Sequence, residues 1–279
     1  MGAAGKAALI VDKKKGSTKM KKHIVFGNTL LLSLGMMAGC CLAEQPSATA
    51  WKAETPITVD GDLSEWKLDS PIEINDASQV IRDADYWLGE TDLSASIYTM
   101  WDEENLYLAA DVKEASPFGA VGQLSHNMED NMKLYISTNP DADPERESYE
   151  TNDFLLYLMM DNQGWYTAFD RSMLERENLA RFTSAGMEES ADILTGYQHG
   201  YQFTDDGYIL EIAIPWSNFS NDYIEQYCPQ SGDMVNFDFV VTDNDYPLPN
   251  TQASVQMSWC GSKDIDKNPS LWGRLTFEE

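Results

Sequence analysis

The chain reads as an all-β protein, a single antiparallel β-sandwich of jelly-roll-like type. Three observations predict it. From Ile57 onward, apolar and polar residues alternate in short runs, the period that sends every second side chain to one face of a strand. Turn residues recur between the runs, as at Asp102–Asn105 and Thr204–Gly207. The 3.6-residue apolar period of a helix is scarce. Only Arg171–Arg181, with Met173, Leu174 and Leu179, fits one or two helical turns.

In chain order, the first segment is an export signal. Lys19, Lys21 and Lys22 precede an apolar stretch from Ile24 to Met37, closed by Ala38-Gly39-Cys40. A basic start, an apolar middle and a small-residue end make a secretory signal and not a membrane span. Residues 1–19 look foreign to such a signal, and Met20 fits a true start. The small-small-Cys ending resembles the bacterial lipobox, with Cys40 receiving the lipid, although Met37 stands where Leu is usual. That reading anchors the protein to the membrane at the cell envelope, on the outer membrane or cell surface. Cleavage after Ala43 is the rival reading and gives a secreted protein. Residues 1–40 are thus extension and signal. Residues 41–55, with Pro46, Ser47 and Thr49, read as a linker. Residues 56–279 are the sandwich.

The expected strands are Ser94–Trp101, Leu106–Val112, Met132–Ser137, Phe154–Met160, Gly200–Phe203, Tyr208–Ile214, Val235–Thr242, Val255–Trp259 and Leu271–Phe277. Asp206-Gly207 suits a hairpin, because these residues tolerate positive φ. Pro215 suits a strand end, because it lacks a ladder donor. Short strands separated by turns argue a sandwich.

Charge narrows the function. The chain carries a formal −27, and removal of the lysine-rich N-terminus makes it more acidic. Such a surface repels phosphates, so nucleic acid is not an expected partner. It suits neutral glycans and divalent cations, and it equally serves solubility outside the cell. Cys228 and Cys260 flank Met234–Thr242, and two states stand open for them: a disulfide, permitted in an exported chain, or two free thiols. No zinc spacing occurs. No Gly-x-Ser-x-Gly, His-Glu-x-x-His or phosphate loop occurs either, and no carboxylate pair is marked for glycoside cleavage. No enzyme is expected.

An ordered set of cues carries a family resemblance. They are Ile57-Thr58-Val59-Asp60-Gly61-Asp62 with Trp66, Met100-Trp101-Asp102 through Leu108, and Asp130-Asn131-Met132-Lys133-Leu134-Tyr135-Ile136. They continue with Asp206-Gly207 through Pro215-Trp216 and close with Pro269-Ser270-Leu271-Trp272-Gly273-Arg274-Leu275. In this order and spacing they resemble the framework of the family 9 carbohydrate-binding modules. The resemblance implies a non-catalytic receptor for polysaccharide or oligosaccharide, with structural Ca2+. Trp66, Trp101, Trp216 and Trp259 fall where the family also has Trp and read as packing residues. Trp272 replaces a framework Phe. Trp51, Trp87 and Trp165 have no framework counterpart.

The family's sugar clamp is not reproduced. The resemblance places its two Trp rings at Asn127 and Asp266, its Glu at Lys133 and its sugar-contacting Arg at Leu155. Sugar recognition needs an aromatic face for stacking and planar polar groups at the ring edge. The expected site therefore uses Asn127, Asp130 and Lys133 with a displaced aromatic, either Trp165-Tyr166, after the turn Asp161–Gly164, or Trp87. Each aromatic has a packing alternative: Trp165 on a sheet face, Trp87 over the sandwich edge. The alternative for the whole chain is a sandwich that has lost sugar binding and serves as a structural or protein-interaction domain. Related sandwich folds hold haem, but His126 and His199 lie in polar or Gly-adjacent settings and the Met residues fit core filling, so no haem is expected. For calcium, clustered oxygens occur at Asp60 and Asp62 with Glu65, at Asp161–Gly164, and at Asp243-Asn244-Asp245. Solvated turn carboxylates are the plain alternative at each.

Overall fold

Period-2 alternation becomes strand wherever one set of side chains finds a core. The computed structural model describes residues 45–114, 130–159, 181–183, 195–220, 225–244 and 254–279. All belong to the unit Ala43–Glu279. Thirteen strands are described: β1 Ser47–Lys52, β2 Ile72–Ile74, β3 Val80–Arg82, β4 Leu93–Trp101, β5 Asn105–Glu114, β6 Asn131–Ser137 and β7 Asp153–Met159. β8 is Arg181–Thr183, β9 Gln198–Phe203, β10 Gly207–Pro215, β11 Met234–Asp243, β12 Val255–Ser258 and β13 Gly273–Glu278. Among the described residues, no helix is long and apolar enough to cross a membrane. The stretch 171–181 lies outside them, apart from Arg181, which starts β8.

The strands run β8-β7-β6-β11-β13-β1-β4-β5-β10-β9, with β12 and β3 continuing from β11 and β2 pairing β4. Two findings differ from the sequence expectation. Residues 41–55 contain a strand: β1 pairs parallel with β13 (Ala50 opposite Phe277) and with β4 (Trp51 opposite Met100). The sheet is therefore mixed, although its other pairings are antiparallel. β1 escaped notice because Ala48 and Ala50 carry little apolar signal. They are tolerated there because β1 lies between two strands, with Ala50 fully buried.

The core joins the two halves of this path. Ile97 and Leu108 from one half meet Leu134, Ile136, Phe237 and Phe277 from the other in one buried cluster. Ring contacts cross the layers: Phe154 to Phe219 at 5.6 Å and Trp216 to Phe277 at 5.9 Å. Trp66, Trp101, Trp216, Trp259 and Trp272 are all buried, the packing role read from their positions. Rings of this size dominate burial in a sandwich core.

Buried polar groups fix the connections. Glu211 of β10, fully buried, accepts hydrogen bonds from the N–H groups of Asp60 (2.8 Å) and Gly61, and from the Trp66 indole. Gly61 has φ +88, and a Cβ there would lie 2.4 Å from the Tyr201 backbone, so only glycine lets this turn close on β9. Asp102 caps the acidic turn between β4 and β5 by accepting from the N–H of Glu104 and Asn105, each at 2.7 Å. Arg146 ties the β6–β7 connection down, donating to Asp153 and to Asn236. Cys228 and Cys260 are free thiols.

Asp238 of β11 is fully buried against the Cys260 thiol and accepts from the N–H of Phe239 at 2.8 Å. Burial pushes its carboxyl up to about 7. An unfolded aspartate titrates near about 3.9. The native state therefore holds the proton across the window from about pH 4 to pH 7. Asp238 favours folding fully below that window, and its contribution is lost as pH rises through 7. In denaturant melts from pH 4 to pH 8, wild type should lose up to about 4 kcal/mol relative to Asp238→Asn. Parallel pH profiles for the two proteins would contradict this.

Candidate functional site

Alternation along β6 separates two faces. Met132, Leu134 and Ile136 enter the main core, while Lys133 and Tyr135 point to the other face. Opposite them in register stand Val240 and Asp238 of β11, and Leu155 of β7 lies opposite Tyr135. The segment 259–272 folds over this face. Ile265 and Trp272 join Ile81, Tyr135, Leu155 and Val240 in a satellite apolar cluster, with Tyr149 packed against it. The buried Trp272 indole donates to the Ile265 carbonyl at 2.9 Å. Its ring meets Tyr149 at 5.3 Å and Tyr135 at 5.5 Å. A buried indole N–H needs an acceptor, and satisfying it pins the loop one residue before Asp266.

Asp266 consequently hangs over β6. One of its oxygens, Oδ1, accepts from the Tyr135 hydroxyl and from Lys133 Nζ, the latter at 3.3 Å. The Lys133 side chain is 6% exposed and the Asp266 side chain 44%. A lysine so placed buries its stem and needs a counter-charge for its ammonium. Asp266 supplies it. Two of the four positions where the sequence departs from the family clamp thus meet each other, and another, Leu155, lies in the apolar floor.

The remaining expected residues are dispersed. Trp87 is half-buried; its indole donates to the Leu93 carbonyl at 2.9 Å and its ring packs on the main core. Asp60 and Asp62 serve their own turn: Asp60 accepts from the Asp62 N–H (3.0 Å), and Asp62 accepts from the Ser64 N–H (2.9 Å). Asn127, Trp165, Tyr166, Asp245 and Cys40 lie outside the described residues.

Asp130, placed in sequence beside Lys133, is spatially grouped with Asp243 and Glu114. Oxygens of these three carboxylates lie within 4.8 Å of one another, and the residues are 0%, 3% and 3% exposed. Asp130 also accepts from the Asn244 N–H at 2.7 Å. Three hard oxygen donors from three chain segments suit a divalent cation such as Ca2+, since like charges this close and this dry repel strongly. Glu114 ends β5 with no local motif to mark it. Only the meeting of the ends of β5 and β11 with the start of β6 reveals the group.

The chain matches the family model described as carbohydrate family 9 binding domain-like over residues 67–279. It is similar to the endo-1,4-beta-xylanase A of Thermoanaerobacterium saccharolyticum, 24% identical over 198 residues, 71% of this chain. The chain spans only 12% of that enzyme's length. In structure it is similar to a family 9 carbohydrate-binding module from Caldicellulosiruptor kristjanssonii solved with glucose. The TM-score is 0.53 at 18% identity, covering 83% of this chain and 96% of that one. The cellotriose complex from the same organism gives the same TM-score and identity, covering 83% and 94%. With the matched model covering most of the described sandwich, the chain belongs to the carbohydrate family 9 binding domain-like family.

Proposed function

We propose that this protein captures neutral oligosaccharide outside the cytoplasm and performs no catalysis on it. The observation that carries the reading is the family match over residues 67–279. The Lys133–Asp266 face, held on a sheet by Trp272, supports it with a planar carboxylate at a fixed position. Asn127, Trp165 and Tyr166 are the residues proposed to complete the site, the two aromatics for the stacking face that the departed clamp no longer provides. Trp87 has its indole N–H engaged by the fold and is assigned to packing. The structural neighbours were solved with glucose and cellotriose, so these are the first ligands to try. A second reading is favoured by the ion pair itself: Lys133 and Asp266 satisfy each other, and the sandwich acts as a structural or protein-interaction domain of the envelope. Calorimetry with cellotriose separates the two. Wild type and Trp87→Ala should release heat, and Trp165→Ala should not; silence from wild type selects the second reading.

We further propose that Glu114, Asp130 and Asp243 hold a structural Ca2+. Its chemistry there is charge compensation between the strand ends, and the three side chains orient it. At Ca2+ a hundredfold above Kd, stabilisation of about 2.7 kcal/mol, or roughly 5–10 °C in Tm, is expected over protein in chelator. Asp243→Asn should remove most of that difference. Identical melting curves with Ca2+ and with chelator would contradict the assignment.

Export and anchoring complete the proposal. The basic and apolar run from Lys19 to Cys40 supports cleavage before Cys40 and lipid attachment to its thiol, an anchor at the bacterial cell envelope on the outer membrane or cell surface. Expressed in a bacterium, the wild type should partition with membranes and Cys40→Ala with the soluble fraction. Equal partition of both would remove the anchor.

A further inference from the structure

Asp266 is both held and exposed. Its Oδ1 takes hydrogen bonds from two buried donors, the Tyr135 hydroxyl and the Lys133 ammonium. A carboxylate offers about four acceptor sites, and the side chain remains 44% exposed. Acceptor capacity therefore remains on a group whose orientation is already fixed. Fixed orientation is what a binding group needs, since little ordering entropy is then lost on ligand capture. Vicinal hydroxyls of a pyranose match a carboxylate presented this way.

Charge says which sugar. The chain as a whole carries −27, whereas the exposed carboxylate of this face has a lysine partner. Lys133 neutralises Asp266 at 3.3 Å, and Lys263, Asp264 and Lys267 alternate in sign beside it. A uronate would be repelled by the chain's overall field and by Asp266. An amino sugar's ammonium would find Asp266 already matched. A ligand without charge meets neither penalty.

We propose that Asp266 is the specificity-determining hydroxyl acceptor of this face, and that Lys133, as a positioning residue, restricts the face to neutral glycans. The proposal rests on the carbohydrate-binding reading above and assigns its polar contact to a position where the resemblance predicts a tryptophan. Tyr135 shares the positioning role, since its hydroxyl grips the same oxygen.

The test is calorimetry on the full chain with three probes: cellotriose, a glucosamine trimer with free amines, and a glucuronate-bearing oligosaccharide. Wild type should prefer cellotriose. Asp266→Ala should weaken cellotriose by about tenfold or more, the range expected for a lost hydrogen bond to a charged group, measured at a temperature where its melting curve shows it folded, since the change also removes the Lys133 counter-charge. Lys133→Met should leave the Asp266 charge uncompensated and shift the ratio of amino-sugar to cellotriose affinity upward by about tenfold, a change that simple loss of packing does not produce. Should Lys133→Met unfold, Asp266→Asn carries the test from an exposed position. Cellotriose binding by Asp266→Ala at wild-type strength overturns the assignment alone. An unshifted ratio in folded Lys133→Met, or a wild-type preference for the uronate, overturns the neutral-glycan claim. Wild type silent to all three overturns this proposal and the carbohydrate reading together.

Discussion

The buried hydrogen bond from the Trp272 indole to the Ile265 carbonyl governs the proposed binding face. Trp272 occupies the corner where the closing loop becomes β13. Its ring is fully buried, so its N–H has no water to turn to, and the loop must supply a carbonyl. Gly273 makes the corner passable. A Cβ there would lie 2.4 Å from the Trp259 ring and 2.8 Å from the Pro46 carbonyl, so the strand can approach this closely only as glycine. With the loop fixed at both ends, Asp266 reaches Lys133 and Tyr135 without freedom to choose other partners.

The charges inside the sandwich follow one rule applied to different ends. Arg146 with Asp153, and Glu211 with two backbone N–H groups and an indole, are dry and matched, and the dry Lys133 ammonium is matched by the exposed Asp266. Pairs of this kind add little net stability, because desolvation offsets attraction. They fix where connections sit. Arg146 and Glu211 lie deep and position loops. The Lys133 pair differs because one partner stays exposed. The same physics that closes a loop elsewhere here leaves a polar group facing solvent.

Much of the fold was legible in the sequence. The long strands β4, β5, β10 and β11 alternate strongly and came out within two residues at each end. β2 and β3 are three residues each, too short to show a period, and β1 is built from small residues whose burial comes from strands far away in sequence. The site was only partly legible. Lys133 and Asp266 are separated by more than a hundred residues, and each reads alone as a departure from a family pattern. Their ion pair appears only when β6 and the closing loop are brought together. Asp130 shows the converse. It is three residues from Lys133 in sequence, but its carboxylate lies within 4.8 Å of those of Glu114 and Asp243, which come from other segments. Trp87 looked free because nothing local marks the Leu93 carbonyl as its acceptor.

The proposed face would recognise a sugar over Lys133, Tyr135 and Asp266. The most direct measurement is side-chain NMR during titration with cellotriose, following the Lys133 ammonium, the Tyr135 ring and the Asp266 carboxyl carbon. Saturable shifts at these three groups at one common Kd are expected. Shifts centred on Trp87, or none at these groups while the sugar binds, would contradict that assignment.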